Sequence, residues 1–209
     1  NKVNLWIFTV IFCICAGVLA FPHIGRGAPA AVFTINNNGD ASDAVIGDGV
    51  CQTAGGVCTL RAAIQETNVL PGHDTIIVGA YTILPTAPLP TLNDPLGTTI
   101  TGSSGSAFID GNTKITVGIN IESDNNVIQG LIIWNFTEYG IRVWWGEDNL
   151  IGTDADGSND AAERNVLLHN GQAGIFLMGG PNRVSGNYIG VYPIGTMAYG
   201  NGYGIYVEG

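Results

Sequence analysis

Three carboxylates fall close together in Thr153-Asp-Ala-Asp-Gly-Ser-Asn-Asp160, where Asp154, Asp156 and Asp160 offer hard oxygen ligands around a glycine turn. That spacing suits a calcium ion, although the bidentate glutamate that closes a calcium-hand loop is missing. Aspartate and glycine are also ordinary turn formers. A second group is aromatic and basic: Trp134, Trp144, Phe176 and Tyr206, with Arg142 among them. Exposed rings on a regular face stack on sugar rings, and a guanidinium forks onto hydroxyls or a carboxylate. The alternative is that these rings pack beneath the loops at 153–164 and 191–203. Glu138, Glu147, Asp148 and Asp154 are candidate acids for glycoside cleavage, which needs two carboxylates at close range. They are scattered, and no Asp-Asp pair occurs. His73 and His169 are isolated, so no Ser/His/Asp or Cys/His arrangement arises. No cofactor is expected, with calcium the one candidate.

The elements that must position these residues announce themselves through a repeat. Gly118-Ile119-Asn120-Ile121 is followed by Gly130, Gly140-Ile141-Arg142-Val143 by Gly152, and Gly174-Ile175-Phe176-Leu177 by Gly186. Each second glycine lies twelve residues after the first, and Gly204-Ile205-Tyr206-Val207 opens a fourth copy. The copies begin 22, 34 and 30 residues apart, so one is bare and two carry insertions. Within Gly-Ile-x-Val the aliphatic residues alternate with a variable one, as on a half-buried strand. The variable column, Asn120, Arg142, Phe176 and Tyr206, is expected to point outward. An Asn-x-(Ile or Val) unit recurs at Asn126, Asn149 and Asn182; asparagine tolerates positive φ, which suits a sharp corner. A unit of this size without a helical period cannot bury its own apolar face, whereas stacked copies can. The expectation is an all-β solenoid, a parallel β-helix, with a β-sandwich or propeller as the alternative.

The segments Asn149-Leu-Ile-Gly-Thr-Asp-Ala-Asp-Gly157, Asn187-Tyr-Ile-Gly-Val-Tyr-Pro-Ile-Gly195 and Asn165-Val-Leu-Leu-His-Asn170 carry a resemblance. They resemble the coils of bacterial right-handed parallel β-helix proteins of the pectin-lyase-like superfamily. The likeness covers about residues 100–209 and speaks to fold more than to activity.

Composition bounds the rest. The chain has 209 residues, 31 of them glycine, and a formal charge of −10. Residues 31–209 hold five Lys/Arg against all seventeen Asp/Glu, a charge near −12. A basic footprint for nucleic acid is absent, and anionic polysaccharides would be repelled unless a divalent cation bridged them. Residues 1–30, with Lys2 ahead of the apolar run from Leu5 to Phe21 and Ala28-Pro29-Ala30 at the end, read as a secretory signal peptide. An uncleaved membrane anchor is the alternative; otherwise no membrane contact is expected. Residues 31–98 are expected to form an N-terminal cap and 99–209 the coils, which break off inside the fourth copy.

Cys51 and Cys58 lie seven apart across a glycine-containing loop, and in an exported chain such a pair most simply forms a disulfide. Zinc is the rival, with no histidine or second cysteine pair beside them. Cys58-Thr-Leu-Arg-Ala-Ala-Ile-Gln-Glu-Thr-Asn68 is the one clear helix, capped by Thr59 and ended at Asn68. This stretch resembles the Cys-Ser-Leu-Arg-Glu-Ala motif at the N-terminus of exported bacterial β-helix proteins, with Thr59 for the serine and Ala62 for the glutamate. Arg61 and Glu66 either form a binding pair or belong to a helix that plugs the solenoid's end. The expected protein is thus secreted or on the cell surface, binding extracellular glycans or surfaces in the manner of an adhesin. A polysaccharide lyase or glycoside hydrolase and a structural stalk are the other readings.

Overall fold

The computed structural model describes residues 29–103, 105–193 and 198–209. The apolar run expected as a signal peptide lies outside them. The protein is all-β, built from parallel sheets. One sheet has six strands: β1 (Val32–Thr34), β2 (Asp74–Val78), β4 (Thr98–Gly102), β7 (Val127–Gln129), β10 (Leu150–Gly152) and β13 (Arg183–Ser185). A five-stranded sheet joins β3 (Thr82–Ile83), β5 (Phe108–Asp110), β8 (Ile132–Trp134), β11 (Val166–Leu168) and β14 (Tyr188–Ile189). The third has four strands: β6 (Val117–Ile121), β9 (Tyr139–Val143), β12 (Ala173–Met178) and β15 (Tyr203–Glu208). From β4 onward the chain visits the three sheets in turn, and each circuit lays its strands beside those of the circuit before.

The sequence pattern explains why these strands are short and why they stack. Each pass supplies one or two inward aliphatic side chains, and the register places like on like. Ile76, Ile100, Ile128 and Ile151 form one stack, Ile83, Ile109, Ile133 and Leu167 another, and Ile119, Ile141 and Ile175 a third, all in one core. Branched side chains suit this pleated stacking, and each buried one contributes about 1.5–3 kcal/mol. The glycine that opens each copy is also explained. A Cβ on Gly140 would lie 2.8 Å from the carbonyl oxygen of Gly174 in the next circuit, so only glycine permits that approach.

The corners are held by asparagine side chains. Asn149 Oδ1 accepts from the backbone N–H and the Nδ2 of Asn126, at 2.7 and 2.9 Å, and Asn182 Oδ1 accepts from the same groups of Asn149, at 3.0 and 2.9 Å. A second corner repeats this with Asn165 on Asn187, at 3.1 and 3.0 Å, and a third with Asn170 on Asn201, both at 2.9 Å. The recurring asparagines therefore serve as side-chain rungs. Positive φ is taken instead by the residue just before several of them: Asn125, Asp148 and His169.

The stack begins earlier than the sequence repeat does. β1, β2 and β3, all within residues 31–98, already pair in parallel with later strands. Between β1 and β2 lies helix α1 (Leu60–Thr67), whose N-cap Thr59 accepts from Ala62 N–H at 3.1 Å. Leu60, Ala63 and Ile64 enter the same core as Phe33, Ile76 and Val78. Cys51 and Cys58 form a disulfide just ahead of it. Arg61 and Glu66 do not pair. Arg61 grips both carboxylate oxygens of Asp40, at 3.0 and 2.9 Å, and the carbonyls of Ala87 and Pro88. Glu66 is fully buried and accepts from the N–H groups of Gly47 and Gly49. Burial pushes the Asp40 carboxyl up, but hydrogen bonds from Arg61 and Thr86 outweigh it and leave Asp40 below its usual range. Among the described residues no helix is long and apolar enough to cross a membrane.

Replacing Asn149 by alanine strips partners from Asn126 and Asn182 inside a buried corner. Urea unfolding should show a loss of at least about 2 kcal/mol. Asn182→Ala, partly exposed at the end of the same column, should cost less; equal losses would show that the ladder is not the source.

Candidate functional site

The outer face of the four-stranded sheet carries the expected column. Asn120 lies beside Arg142, Arg142 beside Phe176 and Phe176 beside Tyr206 in strict parallel register. Arg142 is oriented from two sides: its Nε donates to Asn120 Oδ1 at 2.7 Å, and its guanidinium carbon sits 5.0 Å from the centre of the Trp144 ring. Asn120 in turn donates to Thr91 Oγ1 at 2.9 Å and Glu122 Oε1 at 3.0 Å. Arg142 makes no ion pair; among the described residues the one ion pair is Arg61 with Asp40. Its guanidinium is thus aimed but not neutralised.

The rings form a row. Phe176 stacks on Trp144 at 5.9 Å and on Tyr206 at 5.6 Å, and Tyr139 tilts over it at 4.8 Å. Phe176 points away from the aliphatic core, since its neighbours Ile175 and Leu177 are the residues that meet that core. It is nevertheless only 1% exposed, because the surrounding rings cover it. Phe176 is therefore a foundation for Tyr139, Trp144 and Tyr206 and not itself a contact surface. Tyr203 and Tyr206 at the sheet's edge are 63% and 40% exposed, and their rings lie 5.6 Å apart.

Beside this row opens a groove of about 450 Å³ walled by Tyr139, Tyr203 and Tyr206, with Gln172 and Glu208 as its polar edge. Burial raises the Tyr139 phenol above its usual value and the nearby Glu138 adds to this, against the opposing charge of Arg142. Tyr139 thus stays protonated and can both donate and accept a hydrogen bond. Such a groove offers flat apolar faces with a few directional polar groups, the composition of a small-molecule or sugar site. Tyr139 and Tyr203 were not among the candidates from sequence, although a signal existed: each immediately precedes the Gly-Ile pair of its copy.

Trp134 does not belong to this face. It lies at the end of β8 in the five-stranded sheet, one corner away from Trp144. There it tilts against Phe108 at 6.3 Å and packs on a separate apolar cluster of Ile132, Val166 and Leu168, together with Tyr188 and Tyr192. For Trp134 the packing alternative holds.

The acidic insertion does converge. Asp154, Asp156 and Asp160 each place a carboxylate oxygen within 4.8 Å of the others, and they are the one such group among the described residues. They are the residues that could hold a hard cation. The same oxygens also shape the loop: Asp160 accepts from Thr153 Oγ1 at 2.7 Å, Asp154 from Asp156 N–H at 3.0 Å and Asp156 from Ser158 N–H at 2.6 Å. The candidate acids for catalysis sit apart. Glu138 flanks the groove, Glu147 and Asp148 lie in the turn before β10, and Asp154 lies in the acidic loop after it. His73 bridges Leu96 O and Thr99 Oγ1, and His169 meets Asn135, both at corners. No family model, curated protein or solved structure matches the chain.

The layered face makes opposite demands on two neighbouring rings. Phe176→Ala should remove about 3 kcal/mol of stability, the cost of emptying a covered aromatic site. Tyr206→Ala should leave the melting temperature nearly unchanged. Thermal unfolding of both variants decides this, and equal destabilisation would mean that Tyr206 is a packing residue too.

Proposed function

We propose that this chain is a right-handed parallel β-helix of the pectin-lyase-like kind. On this reading it is exported or displayed at the cell surface. It binds extracellular glycans on the outer face of its four-stranded sheet, without catalysis in this segment. The observation that carries the reading is the tyrosine groove set on the covered Phe176, with Arg142 held beside it by Asn120 and Trp144. A pyranose ring presents an apolar face to an aromatic ring and hydroxyls to its rim, and Gln172, Tyr139 and Arg142 supply partners for those hydroxyls.

The cyclic passage through three parallel sheets and the aliphatic stacks support the coil architecture. The disulfide supports an oxidising, extracellular destination. Glu138 and Glu208 beside Tyr139, with a formal charge of −10 on the chain, favour neutral glycans over anionic ones.

A glycan array probed with the whole chain, followed by calorimetric titration of the best hit, tests this. Tyr203→Ala and Tyr206→Ala should each weaken binding about tenfold, the loss of one stacking contact. Trp134→Phe should leave it unchanged. Absence of binding to every glycan, or an affinity indifferent to both tyrosines, would remove the proposal. Release of new reducing ends would replace it with an enzymatic one.

A further inference from the structure

We propose that Asp74 is a neutral carboxylic acid in the folded protein, its Oδ2–H standing where the asparagine rungs of the same column carry an amide N–H. On this reading the first end of the corner column is a pH-sensitive lock. By strand register the column runs Ala31, Asp74, Thr98, Asn126, Asn149 and Asn182. In its asparagine rungs Oδ1 accepts the backbone N–H of the preceding rung: Thr98 N–H to Asn126 at 2.9 Å, Asn126 N–H to Asn149 at 2.7 Å and Asn149 N–H to Asn182 at 3.0 Å. Asp74 does the same, its Oδ1 accepting Ala31 N–H at 2.7 Å.

The second side-chain atom is where Asp74 differs. Asn126 Nδ2 donates to the carbonyls of Ser123 and Asp124, and Asn182 Nδ2 to those of Gly146 and Gly180. These carbonyls line the corners and need donors. Asp74 Oδ2 is the second side-chain atom of a rung in the same register, is buried and has no hydrogen-bond partner. An ionised oxygen can only accept, whereas a protonated one donates as the amide does. The surroundings point the same way. Asp94 is 2% exposed with its own Oδ2 buried and unpartnered, and the Thr98 hydroxyl is likewise buried and unpartnered. A buried carboxylate whose second oxygen has no hydrogen-bond partner neutralises sooner than it stays ionised.

Burial raises the Asp74 carboxyl and the negative charge of Asp94 adds to it, while the Ala31 N–H and His73 act the other way. The titratable groups facing it are His73 on its own chain segment and Asp94 on the corner before β4. The β1 segment contributes none. From α1, Glu66 is taken up by Gly47 and Gly49, and Arg61 by Asp40. The sign follows. Between the ordinary value of 3.8 and the raised folded value, the unfolded chain has lost this proton and the folded chain keeps it. The folded state therefore loses stability as pH rises through that window and regains it on acidification.

Thermal unfolding of the chain and of Asp74→Asn across pH, with calcium chloride or with a chelator, tests this. The amide should melt several degrees higher than the parent near neutral pH, with the gap closing as pH falls below about 4, where the aspartate becomes protonated in the unfolded chain as well. Infrared spectra of the folded parent, taken between the ordinary value of 3.8 and the raised folded value, should show a protonated-carboxyl band that Asp74→Asn lacks. A lower melting temperature for Asp74→Asn at neutral pH, failure of that variant to fold, or absence of the band would each overturn the proposal. So would a calcium-dependent rise in the parent's melting temperature that the variant loses, which would place a cation in that corner instead.

Discussion

Every circuit of this chain must turn three times, and each turn brings backbone N–H groups to a place where no strand can receive them. The stacked side chains of asparagine resolve this. One carboxamide supplies an acceptor to the rung before it and a donor to the corner carbonyls. Adjacent parallel strands lie about 4.8 Å apart, a distance one carboxamide spans. Buried amides stabilise only when both of their ends are satisfied. Asn126, Asn149, Asn165 and Asn170 are all at most 1% exposed, so a slip of one residue would strand several of them at once. The corners therefore fix register as well as stability. They also decide where extra residues can go. The insertion at 153–164 ends just before rung Asn165, whereas the loop expected at 191–203 contains rung Asn201. The addition at 153–164 lies between rungs and leaves Asn149 and Asn165 in place.

A fixed register turns sequence position into spatial position, which is why an outer face can be spelled with few letters. One variable residue per circuit becomes a line of neighbours: Asn120, Arg142, Phe176 and Tyr206. In the four-stranded sheet the inward positions are aliphatic, so its rings collect outside. There the middle ring is buried by its neighbours, while Tyr203 and Tyr206 stay open. Rigidity at the base and exposure at the rim are both needed for a ring to dock without ordering the site anew.

The inward and outward alternation of Gly-Ile-x-Val was legible from sequence, since period-two alternation depends only on local geometry. So were the helix at Leu60–Thr67, with Thr59 as its cap, and the cysteine pair. The role of the asparagines was not. A conformational preference and a side-chain hydrogen bond across circuits leave the same residue in the same place, and only the register separates them. Trp134 was misplaced for a related reason. The corner at Asn135-Phe136 intervenes between it and Trp144, and spacing alone does not say that a corner has moved the chain to another sheet. β1 to β3 went unseen as part of the stack because they share its inward residues but not its glycine pattern.

The two ends of the structure are stabilised by different physics. Through the repeats the corners are neutral amides, indifferent to pH and largely to salt. Ahead of them charges take over: Arg61 on Asp40, and Glu66 on two glycine N–H groups. A buried charge needs a specific set of partners, and the cost of leaving it without them exceeds what an amide risks. Those partners are drawn from far along the chain, since Asp40 reaches Thr86 and Arg61 reaches Pro88. The charged end thus ties the helix, the first strands and the first loops into one unit. Acid acts on that grip: it protonates Asp40 and releases Arg61, since that carboxyl is held below its usual range.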